Sequence, residues 1–176
     1  MDDIAEISRL TSAAFVQALD PMAELLHHCV AAGASVGFVW PFSPLEARRF
    51  FADLVPAVAA GKRIILVAKS SAGIVGSMQL DLDVPANQPH RACGRKLLVH
   101  TSMRNRGLGT LLMRAMEDEA LQAGRTLVDF EAVAGGAPER LYLSLGYTVA
   151  GVIPDHALTP DGTLCATSIL YKRLSS

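Results

Sequence analysis

The sequence lacks the features of a membrane-spanning or secreted protein. No apolar run reaches the ~20 residues that a helix needs to cross a bilayer. The longest run, Cys29 to Trp40, is interrupted by two glycines and a serine. The first residues, Met-Asp-Asp-Ile, are acidic, whereas a signal peptide begins with a basic and then an apolar segment. We therefore expect a protein that is neither exported nor embedded in a membrane.

The sequence also has few cysteines and a small net charge. The three cysteines, Cys29, Cys93 and Cys165, are odd in number and far apart, which predicts reduced thiols in the cytoplasm. The formal net charge of −1 gives no excess of positive charge to attract nucleic acid or an anionic membrane. No repeat, linker or low-complexity tract interrupts the 176 residues. Residues 1–176 are therefore expected to form one domain that binds a small molecule.

The most informative motif is Arg-x-x-Gly-x-Gly at residues 104–109. An apolar run typical of a buried strand precedes it, and a helical pattern follows. The apolar residues of that helix share one arc: Leu108, Leu112, Ala115, Met116, Ala120 and Ala123. Glycines let the backbone approach a ligand closely, and the unpaired N–H groups of a helix's first turn suit an anion. The motif predicts a diphosphate site on a strand-to-helix turn.

The remaining periodicities predict an α/β protein. Apolar patterns favour strands over residues 4–10, 64–68, 74–84, 90–99, 126–131, 147–150 and 164–174. Helices are predicted after Thr11, after the glycine turn and over residues 138–145, with Asp20-Pro21 and Ser43-Pro44 as further helix starts. This order indicates one sheet of about seven strands.

Taken together, these features resemble the GCN5-related N-acetyltransferase (GNAT) family, most closely its tabtoxin-resistance type. The similar segments are the loop 33–38, Arg-Gly-Leu-Gly at 106–109, Glu-Arg-Leu-Tyr at 139–142, and the tail 151–162. The resemblance covers nearly the whole chain and implies a single-domain GNAT fold, with a mixed, mostly antiparallel sheet flanked by helices. It implies acetyl-CoA as acyl donor, no metal, and a small-molecule amine as acceptor, such as an amino-acid-like toxin, an antibiotic or a metabolite. The oligomeric state stays open, with a homodimer among the alternatives.

The resemblance also implies which residues hold acetyl-CoA. The turn would bind the pyrophosphate through Arg104, Asn105, Arg106, Gly107, Leu108, Gly109 and Thr110. The backbone of Leu98 and Val99 would pair with the pantetheine arm, and one of their amides would polarise the thioester carbonyl. The asparagine that the family often has before its last helix is missing, because residues 134–137 read Ala-Gly-Gly-Ala.

Acetylation of an amine requires a base, because an alkylamine of pKa ~10.4 is deprotonated to only about one part in 10³ at pH 7. On the strand 126–131, Leu127, Asp129 and Glu131 share one face. Two carboxylates on one face raise each other's pKa, so Asp129 or Glu131 would act as base or hold the ammonium of the acceptor. The alternative is that Glu131 is a solvated strand-end residue and Asp129 binds a helix or loop.

Two further roles concern the leaving group and the acceptor pocket. By resemblance, Tyr142 would protonate the CoA thiolate as it leaves, although a buried core tyrosine is the alternative. The acceptor pocket would be framed by the loop 33–38, which ends at Phe38, by Trp40 and Phe130, and by a loop at residues 155–156.

Several other functions are weighed against the transferase. A metal site at His90, Cys93 and His100 lacks a fourth ligand, and on a strand His90 and Cys93 point to opposite faces. Cys93, where the tabtoxin-resistance type has an acidic residue, has no identifiable base to make it a nucleophile. A dinucleotide site would need the spacing Gly-x-Gly-x-x-Gly. A non-catalytic acyl-CoA-binding module on the same fold is the main alternative.

Overall fold

A mixed sheet of seven strands forms the centre of the computed structural model, which describes residues 6–175. The strands are β1 Glu6–Arg9, β2 Arg63–Ser70, β3 Gly73–Asp81, β4 Arg91–Val99, β5 Leu127–Val133, β6 Thr148–Leu158 and β7 Leu164–Arg173. Their order in the sheet is β1-β2-β3-β4-β5-β7-β6. Only β4 and β5 pair in parallel; the other neighbours are antiparallel. This confirms the predicted fold class. The predicted first strand begins at Ile4, which lies outside the described residues.

Helices cover both faces of this sheet. They are α1 Ser12–Gln17, α2 Leu19–Ala31, α3 Pro44–Ala52, α4 Val55–Ala59, α5 Leu108–Gln122 and α6 Ala137–Ser144, with a short 3-10 turn at Thr101–Met103. The predicted start of α3 is confirmed, because Ser43 and Glu46 form a reciprocal capping box. The predicted start of α2 is wrong: the chain breaks at Ala18, and Pro21 lies inside the first turn. Proline fits there because that N–H would have no helical partner.

The helices bury two apolar clusters, one on each face of the sheet. Helix α5 packs against one face through Leu108, Leu112, Met113, Met116 and Ala120. Ala123, predicted on the same arc, is exposed because the helix ends there. Helices α1 to α3 cover the opposite face with a separate cluster that includes Phe15, Leu26 and Phe51. We call this opposite face the acceptor face, because the predicted carboxylates of β5 lie on it.

Strand β4 contains one extra residue relative to its neighbour β3. Gln79 is opposite Arg95, but Ser77 is opposite Leu98, so the chain bulges at Lys96, whose φ is 52°. A bulge reverses the alternation of the residues that follow it. Accordingly, Leu97 packs with the α5 cluster and Leu98 with the cluster under α1 to α3.

The parallel strands β4 and β5 are paired over only part of their length. The pairs run from Arg91 with Leu127 to Cys93 with Asp129 and then stop, although both strands continue. At this point the ring of Phe130 lies directly over Gly94, where a Cβ would overlap it. The two strands therefore enclose a gap with unpaired backbone edges beyond Cys93.

The contact between Phe130 and Gly94 predicts a specific loss of stability. Gly94→Ala should lower the free energy of unfolding by about 2 kcal/mol or more, because the added methyl forces the ring to move. For a chain of this length we expect Tm to fall by roughly 5 °C. The Gly151→Ala variant is a matched control, because a Cβ at Gly151 meets no atom within 4 Å.

The same substitution should cost less in a Phe130→Leu background, since the smaller side chain leaves room for the methyl. Equal Tm values for Gly94→Ala, Gly151→Ala and the unchanged chain would contradict this account of the gap.

Candidate active site

The glycine turn enters α5 without a capping side chain. Asn105 and Gly107 both have positive φ, at 60° and 81°, and Gly107 is the N-cap of the helix. None of the described side chains accepts a hydrogen bond from the first turn, so its leading N–H groups lack acceptors. The turn is exposed, so this unpaired, electropositive helix start is open to an anion.

The last two residues of β4 pair with a neighbouring strand along one edge. Leu98 and Val99 pair with Ser77 and Gly76 of β3, and their other edge faces the gap toward β5. The carbonyl oxygen of Val99 accepts the Nε–H of Arg104 at 3.3 Å. The side chain of Arg104 therefore closes back onto the strand, while Arg106 stays exposed.

Helix α6 lines the other side of this gap. A Cβ added to Gly109 would lie 3.1 Å from Leu141 Cδ2, which puts α6 directly beside the start of α5. The next residue, Tyr142, is buried, and its ring centroid lies 4.7 Å from that of Phe130. Burial raises the pKa of Tyr142, so its hydroxyl stays protonated at neutral pH, as a proton donor must.

The two predicted carboxylates differ in their surroundings. Asp129 is held by Arg91, whose Nη1 donates to Oδ2 at 2.6 Å, and its buried Oδ1 has no partner among residues 6–175. Glu131 is exposed and forms no ion pair with the described residues. The structure places both on the acceptor face, but Glu131 alone has a carboxylate that is free of a charged partner.

Cys93 lies beside the bound carboxylate. Its Sγ is 2.8 Å from Arg91 Nη1, yet burial raises the pKa of the Cys93 thiol to about 11, with the hydrogen bond and charge of Asp129 adding to the effect. The thiol therefore stays protonated at neutral pH and is a poor nucleophile.

Three expectations for the acceptor pocket need correction or refinement. Phe130 does not face it: the ring is buried on the α5 and α6 side, because residues of a strand alternate between faces. Asp155 and His156 lie within β6, at an irregularity between Ile153 and Ala157, rather than in a loop. Phe38 is half-buried on the acceptor face, where it packs against rings of that cluster.

Trp40 borders an open groove of about 630 Å³. The groove runs between the end of α2 and the turn that joins β6 to β7, and its lining includes Val30, Gly33, Trp40, Thr159 and Asp161. The backbone N–H of Trp40 donates to the carbonyl oxygen of Pro160 at 2.7 Å. The structure therefore brings the predicted loop 33–38 and Trp40 next to the Pro-Asp-Gly turn.

The sequence analysis missed Lys96. Because of the bulge, its side chain faces the acceptor face, with Nζ 5.4 Å from the ring centroids of both Phe38 and Phe50. Desolvation and, to a smaller extent, the charges of Arg95 and Arg63 together lower the pKa of Lys96 to about 8. The available signal was Arg95-Lys96, two adjacent charged residues within the strand, because regular alternation would send one of them to the face that α5 buries.

Two histidines stack beside the residues that lead into the glycine turn. The rings of His28 and His100 stack with centroids 4.0 Å apart, and Nε2 of His28 is 2.9 Å from Thr101 Oγ1. Desolvation lowers the pKa of His28, and the nearby charges of His100 and Arg104 act in the same direction. A neutral imidazole is therefore favoured here, which lets the two rings pack closely.

The fold and the site together define a protein that can bind an extended, diphosphate-bearing ligand. The ligand's anionic part would lie on the uncapped helix start, and its arm would lie in the gap between β4 and β5. A family profile described as the acetyltransferase (GNAT) domain matches residues 61–149, which is just over half of the chain. The chain therefore belongs to the GNAT acetyltransferase family. Enzymes of this family use acetyl-CoA and need no metal.

Solved structures share the fold over almost the full length. The YncA protein of Salmonella typhimurium, whose structure contains its cofactor acetyl-CoA, is 18% identical, with a TM-score of 0.78 over 98% of this chain and 95% of that one. A GCN5-related N-acetyltransferase from Kribbella flavida is 20% identical, with a TM-score of 0.78 over 99% and 100%. A ribosomal-protein-alanine N-acetyltransferase from Brucella melitensis is 19% identical, with a TM-score of 0.78 over 96% and 99%.

Within residues 6–175, no helix is both long and apolar enough to span a bilayer. The same part of the chain contains no group of three or more His, Cys, Asp or Glu side chains placed to hold a metal ion.

The environment of Cys93 predicts its reactivity. With a pKa of about 11, only about one thiol in 10³ is ionised at pH 8, so iodoacetamide should alkylate Cys93 slowly. Asp129→Asn removes the charge that helps to raise this pKa and leaves Arg91 free to face the thiolate. We therefore expect alkylation to become several-fold faster, measured by peptide mass spectrometry with Cys165 as the internal reference. An unchanged rate would contradict the proposed coupling of Asp129 and Cys93.

Proposed function

We propose that this chain transfers an acetyl group from acetyl-CoA to the amine of a small molecule by direct attack, without a covalent enzyme intermediate. The observation that carries the proposal is the uncapped start of α5 at the mouth of the unpaired gap between β4 and β5. Structural similarity over 96% or more of the chain supports a GNAT domain that spans residues 1–176, beyond the matched segment. Three free cysteines support a reducing, cytoplasmic location.

Acetyl-CoA fits the residues around this gap. The N–H groups of the first turn of α5 and the exposed Arg106 would hold the diphosphate. The free edge of β4 at Leu98 and Val99 would pair with the pantetheine arm. One of these amides would donate to the thioester carbonyl oxygen, where negative charge develops during attack. The carbonyl oxygen of Val99 already accepts from Arg104, so the N–H groups are the more available partners.

The chain also supplies the proton transfers that the reaction needs. Glu131 would attract the ammonium of the acceptor and take its proton, directly or through water. The hydroxyl of Tyr142, protonated because of its burial, would return a proton to the sulfur of the departing CoA. The raised pKa of Cys93 is consistent with direct transfer. Cys29 also lies near the gap, where its Sγ donates to the carbonyl oxygen of Val99 at 3.5 Å, but burial raises the pKa of its thiol as well.

The acceptor class is proposed from the acceptor face. Phe38 and Phe50 offer aromatic surface and the polar residues of β4 and β5 offer charge, which suits a compact polar amine. The motifs shared with the tabtoxin-resistance type favour an amino-acid-like toxin, antibiotic or metabolite. The similarity in fold to an enzyme that acts on ribosomal-protein alanine makes a peptide amine the alternative to test.

Coenzyme binding can be tested at the N-cap of α5. In Gly107→Asp, a carboxylate would stand beside the free N–H groups of the helix start and repel a diphosphate. We expect the affinity for acetyl-CoA, measured by calorimetry, to fall about a hundredfold, since several contacts of ~0.3–1 kcal/mol are lost together. Gly61→Asp is the matched control, because Gly61 also has a positive φ and open space around its Cβ position. Equal affinity of both variants would overturn the assignment of the turn.

Catalysis can be tested by release of free thiol from acetyl-CoA across a panel of small amines and short peptides. We expect turnover with at least one amine, and a kcat about a hundredfold lower in both Tyr142→Phe and Glu131→Gln, with the affinity for acetyl-CoA unchanged. Wild-type kcat in either variant would contradict the role of that residue. Tight binding of acetyl-CoA without thiol release for any amine would favour the non-catalytic binding module.

A further inference from the structure

The ammonium of the half-buried Lys96 lies against aromatic rings and has no polar partner among residues 6–175. It contacts the rings of Phe38 and Phe50, and Gly37 covers it so closely that a Cβ there would be 3.2 Å from Nζ. No described residue forms a hydrogen bond or an ion pair with Lys96. A desolvated ammonium in this position is costly unless an anion joins it.

The charged residues around Lys96 also include more cations than carboxylate partners. Asp81 alone serves two arginines: its Oδ2 accepts from Arg63 Nη2 at 2.8 Å and from Arg95 Nε at 3.2 Å. The side chain of Arg95 is 49% exposed, and its two terminal nitrogens form no hydrogen bond with a described residue. Arg63, Arg95 and Lys96 therefore bring three positive charges to a region that contains one carboxylate partner.

A carboxylate without an ion-pair partner among residues 6–175 lies on the other side of the gap between β4 and β5. Glu131 of β5 is exposed and without a charged partner, and it is near enough to Lys96 for its charge to oppose the loss of the lysine's proton. Asp129, the other carboxylate on this face, is already neutralised by Arg91. The acceptor face thus presents unpaired cations on β4 and one unpaired carboxylate on β5.

We propose that Lys96 and Arg95 bind a carboxylate of the acceptor while Glu131 faces its ammonium, which makes the acceptor an amino acid or a similar zwitterion. The bulge is what makes this possible, because regular alternation would send the side chains of two adjacent residues to opposite faces. The aromatic rings exclude water around Lys96 and so strengthen its interaction with a carboxylate. The ammonium of the acceptor follows from the proposed N-acetyl transfer, on which this inference rests. The carboxylate of the acceptor follows from the charges of Lys96 and Arg95.

A protection experiment tests carboxylate binding without any turnover. The protein, saturated with CoA, is labelled at pH 8 with a deuterated acetyl N-hydroxysuccinimide ester, and the labelling of each lysine is followed by mass spectrometry. N-acetyl-L-amino acids with small, acidic and aromatic side chains are added, each beside its own carboxamide, which lacks the carboxylate. We expect at least one N-acetyl amino acid to slow labelling of Lys96 several-fold, because a bound anion favours the unreactive ammonium. The matching carboxamide should have no effect.

The exposed Lys69 is the internal control, and its labelling should not respond to either compound. Equal protection by every acid and its amide, or no protection by any acid, would overturn the proposal. Because labelling requires no transfer of acetyl from acetyl-CoA by the protein, failure here is separate from failure of thiol release, which tests the proposed function.

Kinetics then distinguish carboxylate binding from catalysis by Lys96. With a carboxylate-bearing acceptor, Lys96→Met should raise KM about tenfold or more with kcat within about twofold, and Lys96→Arg should restore most of the loss because it keeps the charge. Lys69→Met, the matched control, should behave like the unchanged chain. If Lys96→Arg and Lys96→Met both abolish kcat at constant KM, Lys96 is the base instead, since arginine cannot give up a proton, and carboxylate binding is wrong.

Discussion

One extra residue in β4 is the constraint on which the site depends. The bulge at Lys96 moves Leu97 to the α5 side and Leu98 to the opposite side. It follows the point where β4 stops pairing with β5, so a bent strand with a free edge leads directly into the glycine turn. A regular strand would keep the pairing and close the gap. The same local irregularity therefore leaves the edge of β4 free, where the proposed function places the pantetheine arm, and brings a lysine to the acceptor face.

The polar network beside the bulge fixes the charges of the acceptor face. Asp81 anchors Arg63 and Arg95, and Arg91 holds Asp129. These pairs are partly buried, so breaking one would leave a desolvated charge, which is more costly than losing a surface pair. The network thus pairs the carboxylates of Asp81 and Asp129, and among residues 6–175 it leaves Lys96 and Glu131 of the acceptor face without an ion pair. In this way the packing of the sheet, rather than the number of charged residues, decides which groups are available to a ligand.

Local patterns were enough to predict the fold and the glycine turn that leads into α5, because both depend on contiguous residues. The motif from Arg104 to Gly109 needs only the strand before it and the helix after it. The acceptor face is different, since it is assembled by contacts between distant segments. Phe130 was assigned to the pocket although strand alternation directs it to the other face, and Lys96 was missed because the alternation fails at the bulge. Nothing in the sequence shows that Arg91 binds Asp129, 38 positions along the chain.

The same division separates what this chain shares with its family from what distinguishes it. The matched segment, residues 61–149, contains β4, the gap, the turn and Tyr142, which are the parts to which the proposed function assigns the coenzyme. Phe38 and Phe50 precede that segment, and the turn that meets Trp40 at Pro160 follows it. Lys96 belongs to the shared segment, but the two rings that its ammonium contacts, Phe38 and Phe50, precede that segment. On the proposed function, acceptor selectivity would therefore arise where the shared strand meets the residues that precede it, and a change at Phe38 or Phe50 would alter the acceptor rather than the coenzyme site.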